Sequence, residues 1–134
     1  MNIIVTDTGF AADDWTGRFS AHDAAANDLV AIDLPPDTDL ATLSLSPGLQ
    51  MIRISFFYFA DGRGFTLARQ LRLRGYRGRL RAKGHILSDQ YAMARRAGFD
   101  EVEIDTDLAA RQPESEWLFR ANWRAHDYQA RLRG

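Results

Sequence analysis

Between Phe59 and His85 the chain carries five glycines and eight Lys or Arg residues around a single acid, Asp61. The turn Asp61-Gly62-Arg63-Gly64 concentrates the chemistry of this stretch. Two glycines let backbone N–H groups approach a ligand closely, a helix starting beyond them adds partial positive charge, and a guanidinium offers charge-assisted, bidentate bonds to an oxyanion. Such a turn suits phosphate or sulfate. It lacks the third glycine of a dinucleotide fingerprint and the Lys-Ser/Thr of a P-loop. The spacing alone favours a tight strand-to-helix turn in which Asp61 caps nearby backbone N–H groups. A second loop, Arg81 to Gln90, has the equivalent position in the next unit of the pattern. If the two loops lie side by side at one end of a parallel sheet, Arg81, Lys83 and His85 share a rim with Arg63, and the anion reading gains.

Other chemistries are weaker. His22, His85 and His126 have no metal-ligand spacing, and the dipeptides His22-Asp23 and His126-Asp127 read as surface pairs. Asp13-Asp14 and the run EVEIDTD perform acid–base work only inside a cleft. Ser88-Asp89 reads as a cap, because no base is identifiable for the hydroxyl. Catalytic residues are therefore unassigned, and whether the chain is an enzyme stays open. Nucleic-acid binding would draw on the basic centre with Phe65, Tyr76 and Tyr91, but a net charge of −1 and the lack of a reading motif argue against it.

The charge is unevenly spread. Residues 1–60 hold two Arg against eight Asp, residues 61–99 hold ten Lys or Arg against two Asp, and residues 100–134 hold five Arg against eight acids. Two outcomes are open: the acidic flanks fold back and neutralise the basic centre, or the centre is an interaction surface.

These residues must be placed by a small scaffold. A length of 134 residues with 46% hydrophobic and 26% charged content fits a single globular domain over residues 1–134. The longest apolar run, Ile54 to Ala60, is interrupted by Ser55 and is far too short for a membrane span. The opening MNIIVTDTGF lacks a secretory pattern, so the expected location is cytoplasmic. Absence of cysteine excludes disulfides, thiolate nucleophiles and iron–sulfur ligation, and no cofactor is expected.

The runs IIVTD and LVAIDL predict short strands. GFAADDWTGRFSAHDAAAND, between them, predicts loop or a short helix around Trp15. PPDTDLATLSL predicts one helical turn with Asp37 as its cap. Met51 to Phe59 reads as a strand buried on both faces. Phe65 to Arg74 reads as a helix with Leu67, Ala68 and Leu71 inward and Gly75 beyond its end. GRLRAKG predicts another strand, LSDQYAMARRAG a helix packed through Leu87, Tyr91 and Ala94, and EVEI a further strand. A last helix is expected from Glu114 to Arg131, packed or docked through Trp117, Leu118, Ala121 and Tyr128. Alternating strands and helices imply an α/β domain with a mainly parallel sheet flanked by helices, Rossmann-like or resembling half of a β/α barrel.

The stretch DGRGFTLARQLRLRGYRGRLRAKGHILSDQ, followed by RAGFD, resembles a family of small bacterial proteins of unknown function that usually accompany assimilatory sulfite or nitrite reductase genes. Asp61 to Phe65, Ala68-Arg69, Leu71-Arg72, Gly75-Tyr76, Gly78, Leu80-Arg81-Ala82, Gly84, Asp89-Gln90 and Gly98-Phe99-Asp100 carry the resemblance, within a signature region 56–104. The chain departs from the pattern at Phe57, where members have proline, and at Arg79, where they have an acid. The resemblance implies an accessory, non-catalytic role in reductive sulfur assimilation, docking sulfite or nitrite reductase or an acidic electron carrier through a basic face. The alternative is an oxyanion- or phosphate-ligand-binding protein, or a small enzyme. Its candidate site is Asp61, Gly62, Arg63, Gly64, Arg69, Arg72, Arg81, Gly84, His85, Asp89 and Gln90. Sheet edges and exposed aromatics also make a homo-oligomer an expectation.

Overall fold

The computed structural model describes residues 2–21, 30–43, 45 and 47–124. Seven strands form one sheet: β1 Asn2–Thr6, β2 Gly9–Ala11, β3 Ser20–Ala21, β4 Ala31–Leu34, β5 Met51–Phe56, β6 Arg79–Gly84 and β7 Glu101–Asp105. Their order is β2-β1-β7-β6-β5-β4-β3. Neighbours from β3 to β7 run parallel, whereas β1 is antiparallel to both β7 and β2. The helices are α1 Arg63–Leu73, α2 Tyr91–Ala97, α3 Thr106–Arg111 and α4 Glu114–Phe119. The α/β domain with a mainly parallel sheet is thus present.

From β4 to β7 the chain advances across the sheet in one direction, so right-handed crossovers place every connecting segment on the same face. That is the arrangement of half a β/α barrel, with helices on one side only. Ile32, Leu34, Ile52, Ile54, Phe56, Leu80, Ala82, Val102 and Ile104 face the helices and pack with Leu67, Ala68, Leu71, Tyr91, Ala94, Leu108 and Trp117. Each fully buried aliphatic side chain of this set stabilises the fold by about 1.5–3 kcal/mol relative to exposure. Strand alternation sends Asp33, Arg53, Arg79, Arg81, Glu101 and Glu103 to the other face.

The expectation of a strand apolar on both faces over Met51 to Phe59 is therefore corrected. Strand β5 stops at Phe56, its Arg53 and Ser55 are only half-buried, and Phe57 and Tyr58 are exposed in the following loop. The helical cap is also shifted: Asp39, not Asp37, accepts from Ala41 N at the start of a 3-10 turn, Leu40–Thr42. Three elements escaped the hydrophobic pattern altogether, the hairpin strand β2, the edge strand β3 and helix α3. The last helix ends at Phe119, with Trp117 buried and Leu118 and Phe119 exposed. Tyr128 and the remainder of that expected helix, from residue 125 on, lie outside the described residues, as do His22-Asp23 and His126-Asp127.

Because β2 and β3 occupy opposite ends of the sheet, residues 12–19 must cross its whole width. Six inter-strand spacings of about 4.8 Å make roughly 29 Å. Nine Cα steps reach at most roughly 31 Å when extended. No length remains for a helix around Trp15, and the segment is instead an extended strap over the face opposite the helices.

Two glycines adapt the carboxyl end of the sheet to Phe56. A Cβ on Gly64 would clash with the outer edge of the Phe56 ring at Cζ, Cε1 and Cε2, and one on Gly84, whose φ is +114°, would lie 2.6 Å from Phe56 O. Gly64→Ala is expected to lower unfolding free energy by about 1–3 kcal/mol through overpacking. Gly84→Ala should cost at least as much, since it adds backbone strain. Gly62→Ala, whose Cβ meets nothing, should stay within about 0.5 kcal/mol. Urea unfolding of the three variants checks the order.

Candidate functional site

Helix α1 begins at Arg63, inside the glycine turn, so the turn and the first helical residues are one structure. The Asp61 side chain has no solvent exposure and accepts from Arg63 Nε at 2.9 Å and Nη2 at 3.2 Å. This bond holds the Asp61 carboxyl below its usual range against the opposing effect of burial. Arg63 itself stays half-exposed, but one edge of its fork is turned back onto Asp61. The turn thereby works as a folding device: a buried carboxylate fixes the guanidinium that an oxyanion would need.

The other expected residues serve separate places. His85 donates its backbone N–H to Phe56 O at 3.2 Å, and its Nδ1 lies 3.1 Å from the same oxygen. Its ring meets Phe59 edge-on at 5.2 Å. Gln90 donates to Phe59 O at 2.9 Å and accepts from Leu87 N at 2.8 Å, while Asp89 is exposed. Asp61, Gly62, Arg63, Gly64, Gly84, His85 and Gln90 thus gather around Phe56 to Phe59 at the carboxyl end of β5 and β6. Arg72 belongs elsewhere, donating to the carbonyls of Gly98, Tyr76 and Gly78 and to Asp100. Arg69 lies exposed on α1, and Arg81 faces the strap. The eleven candidates do not converge on one cleft.

The dominant charged structure is on the strap face. Arg81, with 0% exposure, donates Nε to Glu101 at 2.7 Å and Nη1 to Glu103 at 3.0 Å. Its two terminal nitrogens also clasp Asp13 of the strap at 3.1 and 3.0 Å. Arg79 bonds both oxygens of Glu101 at 2.7 and 2.9 Å and Asp14 at 2.8 Å. Arg53 bonds Asp33 at 2.6 and 2.9 Å and Glu103 at 3.1 Å, and the Phe19 ring stacks 3.7 Å from its guanidinium carbon. Burial alone would raise the Glu103 carboxyl, but bonds from Asn2, Arg81 and Arg53 hold it low. Burial likewise raises Asp13, and the bonds from Arg81 and the Trp15 N–H together with the charges of Arg81 and Arg53 bring it below its ordinary value.

Of the two outcomes left open by the charge map, folding back is realised here. Asp13, Asp14 and Asp33 from the acidic start and Glu101 and Glu103 from the acidic end neutralise Arg53, Arg79 and Arg81. A related cluster forms at the helix side, where Asp7 accepts from Tyr91, both Nε and Nη2 of Arg95, and Trp123. Burial first, then the bond to Asp7, pushes the Tyr91 hydroxyl well above its ordinary value. The signal for the strap-face lattice was present as a period of two, Arg79-x-Arg81 on one strand and Glu101-x-Glu103 on the next.

Between α1 and α2 a groove is lined by Phe65, Thr66, Arg69, Met93, Arg96 and Ala97. Met93 is 53% exposed. Among the described residues no carboxylate pairs with Arg69, and Arg96 donates to the Trp123 carbonyl at 3.0 Å and to no carboxylate. Among the described residues no group of three His, Cys, Asp or Glu could hold a metal ion, and no helix is long and apolar enough to cross a membrane.

A family model described as a bacterial protein of unknown function, DUF934, matches residues 31–134. The chain belongs to that family. The family region carries β4 to β7 and every sheet residue of the charged lattice, whereas β1, β2, the strap and β3 precede it. Neither the curated proteins nor the solved structures compared with the chain gave a match.

Arg81→Met should destabilise the fold by about 3–5 kcal/mol, because it strands Glu101 and Glu103 without their buried partner; urea unfolding measures it. The acid limb of stability is fixed by sign. Carboxyls held low in the fold, Asp7, Asp13, Asp61 and Glu103, contribute stability above about pH 4.5 that is lost as pH falls below about 4. Asp13→Asn should make that acid limb shallower in thermal unfolding between pH 7 and pH 3.

Proposed function

We propose that the chain is a non-catalytic accessory protein that docks an acidic partner through the groove between α1 and α2. The observation that carries this reading is the contrast between the two faces. Arginines toward the strap are consumed by five carboxylates, while Arg69 and Arg96 border an apolar strip of Phe65 and Met93 with no carboxylate paired to them among the described residues. Exposed guanidinium groups beside an apolar strip suit a partner that presents acids around a hydrophobic contact.

Sulfite reduction supplies the partner class, on the strength of the resemblance over residues 56–104: an assimilatory sulfite or nitrite reductase, or the acidic electron carrier that feeds it. A docking protein of this kind needs no reactive constellation of its own. The pairing of Arg63 with Asp61 at 2.9 Å weighs against the alternative of an oxyanion ligand at the glycine turn.

The test is binding of purified sulfite reductase and of ferredoxin to the full chain, measured by titration at low and high salt. Binding is expected to weaken as ionic strength rises, because the steering charges are exposed. Arg69→Glu with Arg96→Glu should reduce the affinity tenfold or more with thermal stability retained. No association at either salt concentration, or association indifferent to the double variant, would remove the docking reading.

A further inference from the structure

The strap raises a question that the docking groove on the opposite side does not answer: why a completely buried arginine takes one of its partners from an exposed, irregular segment. Arg81 is held from the sheet side without any help from the strap. Glu101 fixes Nε, Glu103 fixes Nη1, and these acids are fixed in turn by Arg79, by Arg53 and by Asn2 Nδ2 at 2.7 Å. Glu101 Oε2 also lies 2.6 Å from Nη2, so what remains is one N–H on each of Nη1 and Nη2, a rigid pair of donors directed at the strap. Asp13 fills that pair end-on with both oxygens. This is how a guanidinium recognises a planar carboxylate.

The occupant is held much less firmly than the receptor. No backbone–backbone hydrogen bond ties residues 12–19 to the rest of the described chain. Six of these eight residues are exposed, Trp15 and Phe19 being the exceptions. Among the described residues the strap's attachments are side chains only: Asp13, Asp14, Trp15 against Arg79, and Phe19 against Arg53 and Arg81. Trp15 Nε1 is buried with no hydrogen-bond partner among the described residues, so the closed strap leaves a donor unsatisfied. The charged residues of the receptor lie within the family region, residues 31–134, whereas Asn2 and Asp13 lie outside it.

We propose that the sheet face around Arg81 is a carboxylate-binding site, and that Asp13 is its intramolecular occupant, displaced when a carboxylate ligand enters. The ligand binds through two parallel N–H···O bonds to Nη1 and Nη2, in the place of the Asp13 oxygens. Asp13 competes as a tethered ligand, with an effective concentration on the order of millimolar. Free carboxylates therefore bind the intact chain weakly, and removing the Asp13 side chain unmasks the site.

The experiment is a titration of the full chain and of Asp13→Ala with sodium acetate and, separately, with a synthetic peptide of the strap sequence Ala11–Ser20. The readout is the side-chain Nε–Hε resonance of Arg81. Asp13→Ala should show saturable shifts with an apparent affinity at least tenfold above that of the intact chain. Response to both probes assigns a small-carboxylate site, and response to the peptide alone assigns a site for an acidic protein segment. Absence of any Arg81 shift in folded Asp13→Ala with either probe, at acetate up to roughly 100 mM, well above the tether's effective concentration, overturns the proposal. A second measurement needs no variant. Tryptic cleavage after Arg18 of the strap should be faster in acetate than in chloride at equal ionic strength, and equal rates in the two salts count against displacement.

Discussion

The guanidinium of Arg81 is the constraint around which one half of this molecule is organised. A cation without solvent exposure at the middle of a parallel sheet is tolerable only when its donors are met by acceptors. Glu101 and Glu103 meet the inner donors and are themselves buried, so they require further cations, which Arg79 and Arg53 provide. The lattice then spreads over β4 to β7 until it reaches Asp33 at one side and Asn2 at the other. A sheet with helices on one face would otherwise leave its second face bare. Here a charge lattice and an eight-residue strap cover it.

This division gives the two faces different physical characters. The helix side holds the apolar core and gains its stability from burial, which is additive and not directional. The strap side gains its order from directional, coupled bonds, where loss of one member leaves others unpaired. The carboxyl end of β5 and β6 is different again. There Phe56 packs so closely against Gly64 and Gly84 that the turn, the start of α1 and the His85 loop are fixed by steric fit. The family's glycines and Asp61 therefore have a structural account in this chain that does not depend on any ligand.

Much of this was legible in the residues. Hydrophobic periodicity located β4 to β7, α1 and α2, and the alternation of strands with helices required a parallel sheet. Boundaries moved where a side chain had two readings: Phe57 to Phe59 look like strand by composition, yet beyond Phe56 no strand neighbour accepts them and they form the loop. The hairpin strand β2 has only three residues, too few for a period. At Gly62 to Gly64 the local residues left two uses open, an anion-binding loop or a tight turn with Asp61 as its cap; in the fold the buried Asp61 carboxylate is bonded to Arg63 at 2.9 Å.

The sequence by itself determined the class of the fold, the basic centre between acidic flanks and the period-two placement of arginines and glutamates on successive strands. These follow from local spacing, because strand alternation acts within a few residues. Only the tertiary structure decided which acid neutralises which base. Asp14 meets Arg79 across 65 positions and Asp13 meets Arg81 across 68. Those pairs exist because β2 and β3 close opposite ends of one sheet and force the chain between them over the charged face. No local pattern records that geometry, and it leaves Arg69 and Arg96 outside while sealing Arg81 within.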